Sequence, residues 1–316
     1  MRSTNIVSVS GGKDSTATLL LAIERQAENL RAVFCDTGHE HPETLAYVDR
    51  LSQQTGVQIE WVKADFSKQI AKKRARIEDP ESDWPEHLRR EALATLLPTG
   101  IPFLDMVLWK GRFPSTKVKF CTQHLKREPF TQQVIDPLIQ SQEFDQIVSW
   151  VGVRRDESRA RADVAEWEME FGDENTGEGV WLHRPIASWT AEDVFSFHRK
   201  HGVEWNPLYE QGMGRVGCMP CINARKNELR EIARRYPEEV ERVAEWERIA
   251  SKAAKRGCAT FFAARGETDV SLEKHGIHNA VDWSRTSRGG RQFDLIAVSE
   301  SEDEAPMCQS LYGLCE

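Results

Sequence analysis

The sequence predicts an α/β fold: a doubly wound, mostly parallel sheet with a helical C-terminal extension. Three observations carry this expectation. Short apolar runs alternate with helical patterns through the first half of the chain, as successive strand–helix units require. The first apolar run passes through a Gly-Gly turn straight into a helix. Two later segments, 223–236 and 237–255, carry apolar residues at the 3.6-residue helical period, with dense Glu and Arg faces that read as solvated.

Asn5 to Val9 is the first strand, and Ala17 to Ile23 is a buried helix. Between them lies Ser10-Gly11-Gly12-Lys13-Asp14-Ser15. A strand, a glycine turn and a helix N-terminus form an anion site, because backbone N–H groups and the helix dipole both favour negative charge. The glycines let backbone approach a phosphate. Lys13 adds a positive charge, and Ser10 and Ser15 add hydroxyls. A plain glycine turn would leave six specific residues at one junction unexplained. The spacing is not that of the Walker loop, which has four residues between its first Gly and Gly-Lys-Ser/Thr.

Leu30 to Cys35 and Gln58 to Lys63 are further strands. Helices are expected over Pro42–Thr55, with Pro in its first turn, and Phe66–Glu78. Asp145 to Val151 is the next strand. Ligands of such sheets sit beyond the C-terminal strand ends. That places Asp36, in Cys35-Asp36-Thr37-Gly38, as a nucleotide- or metal-positioning residue, with a simple turn equally open. Residues 79–118 break the alternation, and basic Lys110 to Lys117 reads as a substrate lid or a solvated loop. After Val151 come Gly152, Arg154, Arg155, Arg159 and Arg161. Four arginines around Asp156 and Glu157 can clamp an anion bidentately. Arg154 is the foremost candidate, and a loop arginine here should be replaceable without unfolding the protein. Acidic residues 163–178 read as a mobile excursion. Thr190 caps a helix, with Asp193 at the capping-box position.

Gly217-Cys218-Met219-Pro220-Cys221 offers two thiolates at a spacing that suits one metal, one cluster or a redox dithiol. Cys35 and Cys258 read as core residues. Near the end, Asp282 to Gln292 places Arg285, Arg288 and Arg291 beside Trp283. That loop can grip a nucleic-acid backbone or fold onto a nucleotide. Acidic Glu300 to Glu304 argues against nucleic acid lying on that following stretch.

Composition bounds the function. The chain has 316 residues, 40% hydrophobic and 29% charged, with a net charge of −8. Bulk charge therefore does not support non-specific nucleic-acid binding, although a local basic patch remains compatible. No apolar run reaches membrane-spanning length. The start lacks a signal-peptide core, so a cytoplasmic protein is expected. Seven cysteines including a CxxC pair fit a metal or redox site in a reducing compartment.

The Ser10–Ser15 string resembles the Ser-Gly-Gly-x-Asp-Ser PP-loop of the ATP pyrophosphatase superfamily. Asp36-Thr37-Gly38 through Pro42-Glu43-Thr44 resembles a signature of its phosphoadenosine phosphosulfate (PAPS) reductase branch. Gly152, Arg154, Glu157 and Ser158 match that branch's second signature, and Cys121 to Lys126 its Cys-x-x-x-x-Lys string. The Pro185–Val194 and Asn206–Tyr209 segments are similar too. The resemblance implies an adenine nucleotide alpha hydrolase-like domain over 1–222, followed by a helical and tail region over 223–316. It implies ATP with Mg²⁺, cleaved between its α and β phosphates, with Lys13 and Arg154 stabilising the pyrophosphate. An adenylylsulfate-reductase-like [4Fe–4S] cluster, with zinc as competitor, would draw on Cys121, Cys218 and Cys221, completed by Cys308. Cys315 would then be a sulfur-carrying or redox thiol. Reductases carry a tail Glu-Cys-Gly-Leu-His, where this chain has Gly313-Leu314-Cys315-Glu316. The intact loop favours ATP and sulfur transfer, as in ATP sulfurylase small subunits, DNA phosphorothioation proteins and stand-alone phage or defence-associated members. Nucleic acid is a candidate acceptor. The alternatives are a PAPS or adenylylsulfate reductase using a thiol reductant, and a nucleotide-binding accessory protein without turnover.

Overall fold

The computed structural model describes residues 1–264 and 268–287. Six strands form one sheet: β1 (Ser3–Val9), β2 (Leu30–Asp36), β3 (Ile59–Lys63), β4 (Gln146–Trp150), β5 (Trp167–Asp173) and β6 (Glu178–His183), in the order β3-β2-β1-β4-β6-β5. All neighbours are parallel except β5 and β6. Val7 lies opposite both Ala32 and Trp150. Strand order runs outward from β1 in both directions, so the switch point falls between β1 and β4.

The strand sequences explain why both faces are covered. Side chains alternate across a strand. Val7, Val9, Ala32 and Phe34 face one cluster with Leu19, Tyr47 and Leu51. Ile6, Val33 and Cys35 face the other, with Phe130 and Val134. Helix α1 (Lys13–Glu24) and α2 (Pro42–Thr55) supply the first layer. On the other face, residues 120–141 run as a helix containing two π-helical turns, Gln123–Arg127 and Thr131–Ile135. Each turn ends two residues before a proline, Pro129 or Pro137. Proline lacks an N–H and crowds the carbonyl four residues back, which a widened turn relieves.

Two expectations need correction. The acidic stretch 163–178 is not a loose excursion, because Trp167–Asp173 pairs antiparallel with β6 as the sheet edge. Exposed edge strands tolerate charge, so acidic composition concealed the strand. Within 79–118, the breaks at 79–85 and 98–101 stand, but α4 (Glu86–Thr95) and α5 (Pro102–Lys110) fill the space between and after them. Gly111, at φ +65°, ends α5 in the left-handed conformation that favours glycine.

The Lys226–Arg235 and Pro237–Lys252 helices pack on each other, and the second also meets α4 and α5, against which α3 (Ser67–Glu78) packs as well. One apolar cluster holds Ile70, Phe103 and Leu104 together with Leu229, Val243 and Trp246. It crosses residue 222. Phe103 and Trp246 stack with ring centroids 5.6 Å apart. Among the described residues, no helix is long and apolar enough to cross a membrane.

Candidate functional site

The chain leaves β1 at Val9 and turns at Gly11, whose φ is +80°. A Cβ there would lie 2.6 Å from the Thr44 methyl, so only glycine fits. Gly12 begins α1 without a side-chain cap, so the positive end of the helix dipole faces the loop and favours an anion there. Ser15 Oγ accepts from Ser10 N at 3.1 Å and donates to Gly12 O at 3.0 Å. Ser10 Oγ lies 2.9 Å from Ser15 Oγ. These bonds hold the loop's shape from inside. Asn206 Nδ2 donates to Gly11 O at 3.2 Å, and Lys13 N donates to Tyr209 OH at 3.2 Å. The Asn206–Tyr209 turn, which sequence reading left without a role, thus braces the loop from outside. His198 Nε2 lies 2.8 Å from Lys13 O. Its helix, Ala191–His201, has the expected Thr190–Asp193 capping box.

Gly152 follows β4 and abuts this loop. A Cβ on it would meet Asp14 C at 2.7 Å and Ser15 N at 2.8 Å. Two residues on, Arg154 Nε donates to Asp14 Oδ1 at 2.6 Å, and Lys13 Nζ donates to Asp14 Oδ2 at 2.7 Å. Asp14 is fully buried and Arg154 is 5% exposed. Arg154 also pairs with Asp156 at 2.5 Å. Its guanidinium is held charged: burial opposes the charge, but Asp14, Glu157 and Asp156 outweigh it and raise its pKa. The expectation of a dispensable loop arginine is therefore corrected. The four-arginine clamp is also divided: Arg161 is buried against Glu157, while exposed Arg155 donates to Val164 O at 3.0 Å.

The β2–α2 loop is the neighbour on the other side of β1. Asp36 Oδ1 accepts from Gly38 N at 2.8 Å, and Oδ2 pairs with Lys63 at 2.6 Å. Thr37 donates through N and Oγ1 to buried Glu40, at 3.0 and 2.6 Å. Glu40 bridges to Cys218, and Thr37 Oγ1 is 3.6 Å from Cys218 Sγ. His39 is buried between Phe103 and Trp246. Its Nε2 lies 2.8 Å from Pro220 O, while Arg242 Nη2 donates to its Nδ1 at 3.3 Å. Nδ1 as acceptor makes Nε2–H the donor to Pro220. Burial keeps this imidazole neutral by driving its pKa well down. Arg242 also donates to Met219 O at 2.9 Å. The C-terminal helices therefore clamp the CxxC loop onto the end of β2.

Burial drives the Cys218 thiol pKa well up, assisted by Glu40 and opposed by Lys126. Lys126 is itself buried on the first π-helical turn. Cys121 and Cys221 are half-buried and pack on the same apolar cluster. Cys35 is buried, as expected, while Cys258 is only half-buried. Among the described residues, no three His, Cys, Asp or Glu side chains gather as a metal-holding set. The described donors thus do not by themselves fit a cluster or zinc, and Cys308 and Cys315 lie outside the described residues. Asp14 is committed to Lys13 and Arg154, and Asp36 to Lys63; Mg²⁺ brought by ATP would rest mainly on phosphates and water.

Sequence reasoning missed His39, Glu40, Tyr209 and Arg242. The first two stand inside a quoted signature, where their burial was the missing signal. Arg242 looked like any solvated helix charge. Arg288 and Arg291 of the basic tail loop also lie outside the described residues.

The model of the phosphoadenosine phosphosulfate reductase domain matches residues 4–224, from β1 through the CxxC loop. An uncharacterized 37.8 kDa protein of Escherichia phage 186 is 45% identical, with 99% of this chain and 96% of that one covered. An adenosine 5'-phosphosulfate reductase of Burkholderia cepacia is 26% identical, covering 60% of this chain and 58% of its own length. A PAPS reductase structure from Candida auris superposes loosely, with a TM-score of 0.40 and 17% identity over 68% of this chain and 81% of that one. With the matched span enclosing the Gly-Gly loop, the Asp36 turn, Gly152 and Arg154, the chain belongs to the phosphoadenosine phosphosulfate reductase family.

Proposed function

We propose that this protein binds ATP on the Ser10–Ser15 loop and cleaves it between the α and β phosphates, as the activating step of a sulfur transfer. An acceptor oxygen attacks the α-phosphorus, the bond to the bridging oxygen breaks, and pyrophosphate leaves with the electron pair. A sulfur nucleophile then displaces AMP from the adenylylated acceptor. The observation that carries this reading is the intact Gly11-Gly12-Lys13 turn opening an uncapped helix, with Lys13 14% exposed at its side chain. The helix N-terminus and the Lys13 ammonium would meet the charge developing on pyrophosphate. Arg154 would act through Asp14, fixing the carboxylate that orients Lys13. Cys315 is the candidate sulfur-carrying thiol. No step here is routed through a metal or a cluster.

The similarity to an adenosine 5'-phosphosulfate reductase supports a second reading, in which the nucleotide is a sulfated one and a thiol reductant releases sulfite. Product analysis separates them. Labelled ATP is expected to give AMP and pyrophosphate. Sulfite from labelled PAPS or adenylylsulfate, with ATP untouched, would establish the second reading. Nucleotide binding with neither product would leave an accessory protein without turnover.

A further inference from the structure

A basic cleft lies outside the nucleotide loop, lined by α3 and the end of α5. Its volume is about 1650 Å³. Gln69, Lys72, Lys73 and Arg76 line one wall, at the i, i+3, i+4, i+7 spacing of a single helix face. Ile70 and Ile77, 1% and 0% exposed, put the opposite face of α3 in the core. Lys110 and Arg112 come from the end of α5, and Lys255 and Arg256 from beyond the Pro237–Lys252 helix. Seven lysines and arginines thus face three carboxylates, Asp79, Glu81 and Asp83. The whole chain carries a net charge of −8, so this concentration runs against composition.

The cleft is built, not merely bordered by flexible lysines. Lys73 Nζ donates to Leu108 O at 2.6 Å and to Ala253 O at 2.8 Å, tying three walls together. Lys255 pairs with Asp83. Lys72, Arg76, Arg112 and Arg256 form no ion pair among the described residues. Lys110 Nζ sits 3.8 Å over the Trp109 ring, and Arg112 Cζ lies 5.7 Å from the Phe120 ring. Trp84, half-buried, completes an aromatic floor.

Size and chemistry together select the occupant. The volume exceeds the roughly 300–1,000 Å³ of small-molecule sites, so the ligand is longer than a mononucleotide. Unpaired cations along a groove match the recognition of single-stranded nucleic acid, whose phosphates track the charge; with Phe120 buried and Trp109 packed on Phe66, half-buried Trp84 is the ring placed to meet an unstacked base. A duplex keeps its bases stacked and cannot use that ring. The cleft is also within reach of the nucleotide loops. Phe103 N, in the first turn of α5, donates to Thr37 O at 2.8 Å, and a helix of nine residues spans only about 13 Å.

We propose that this cleft binds single-stranded nucleic acid and presents it as the acceptor of the sulfur-transfer reaction. The acceptor role rests on the function proposed above; the binding itself does not. Fluorescence anisotropy of the full chain with labelled single-stranded DNA and RNA of about twenty nucleotides, without ATP, tests the binding. Binding that weakens as salt rises is expected, and Lys72→Glu/Arg76→Glu should weaken it at least ~tenfold with a shallower salt dependence. ATP affinity measured on the same variant should be unchanged. If the double variant fails to fold, Arg112→Ala decides by the same measurement. No binding by wild type at low salt, equal binding by folded variants, or equal preference for duplex DNA or heparin would overturn the proposal. Oligonucleotide binding in a protein that fails to cleave ATP would sustain the surface while refuting the proposed reaction.

Discussion

Arg154 Nε donates to Asp14 Oδ1 at 2.6 Å with both side chains buried. The loop after β4 is thereby locked to the first turn of α1 across the switch point of the sheet. Leaving a buried charge wholly unpaired costs about 3–5 kcal/mol, but Asp14 keeps Lys13 when Arg154 is removed. Arg154→Met is therefore expected to lower stability in urea unfolding by less than that, as well as weakening nucleotide binding. Asp14→Leu/Arg154→Met should recover much of the stability and none of the binding. An unchanged midpoint in the single variant would show that the pair is not structural.

Gly152→Ala tests the close approach. Its Cβ would sit 2.7–2.8 Å from the backbone of Asp14 and Ser15, and backbone cannot yield as a flexible side chain can. The expected result is a loss of about 1–3 kcal/mol of stability, the usual range for overpacking, with weaker ATP binding. Wild-type affinity by calorimetry would contradict the placement.

Lys13→Ala removes the one lysine of the Gly-Gly loop. Charged hydrogen bonds are worth about 1.5–3 kcal/mol, so ATP affinity should fall at least tenfold. Fold stability is a separate readout, because Lys13 also pairs with Asp14. Equal calorimetric affinity in wild type and variant would exclude Lys13 from the phosphate site.

His183 predicts acid sensitivity. It stacks on Trp167 at 3.8 Å, and its Nδ1 has no hydrogen-bond partner. Burial lowers its pKa from 6.5 to about 4, against an opposing contribution from Glu166. The unfolded chain binds the proton more readily, so stability rises with pH through this window and is lost as pH falls from 6.5 towards 4. The loss is at most ~3 kcal/mol at one pKa unit per 1.36 kcal/mol. His183→Phe should flatten that part of the stability profile; an identical profile would remove His183 as its cause.

Cys218→Ser addresses the cysteines. The loop carrying Cys218 is fixed by Thr37, His39 and Arg242 contacts, so the variant should stay folded. Because no three donors among the described residues gather as a metal-holding set, the described thiols alone are expected to hold no cluster; a brown, anaerobically purified wild type whose visible absorption is lost in the variant would show that residues outside the described ones complete a site. A colourless protein with stoichiometric zinc would keep the thiolate site and replace the cluster. Metal-free wild type would end the metal reading.

The sequence by itself determined the strand–helix alternation, the Gly-Gly loop, the Thr190 cap and the family signatures. Each is written in local periodicity or in residues adjacent along the chain. The edge strand at 167–173 was hidden, because an exposed strand needs no apolar alternation. Only tertiary structure decided that Arg154 is an internal counter-ion of Asp14, 140 residues away, and that Tyr209 and Asn206 brace the nucleotide loop. It also decided that α3, α5 and the chain after Lys252 converge their cations on one cleft. Charge carries no direction in a sequence. Whether an arginine faces solvent, a carboxylate or a ligand depends on which distant segment packs beside it.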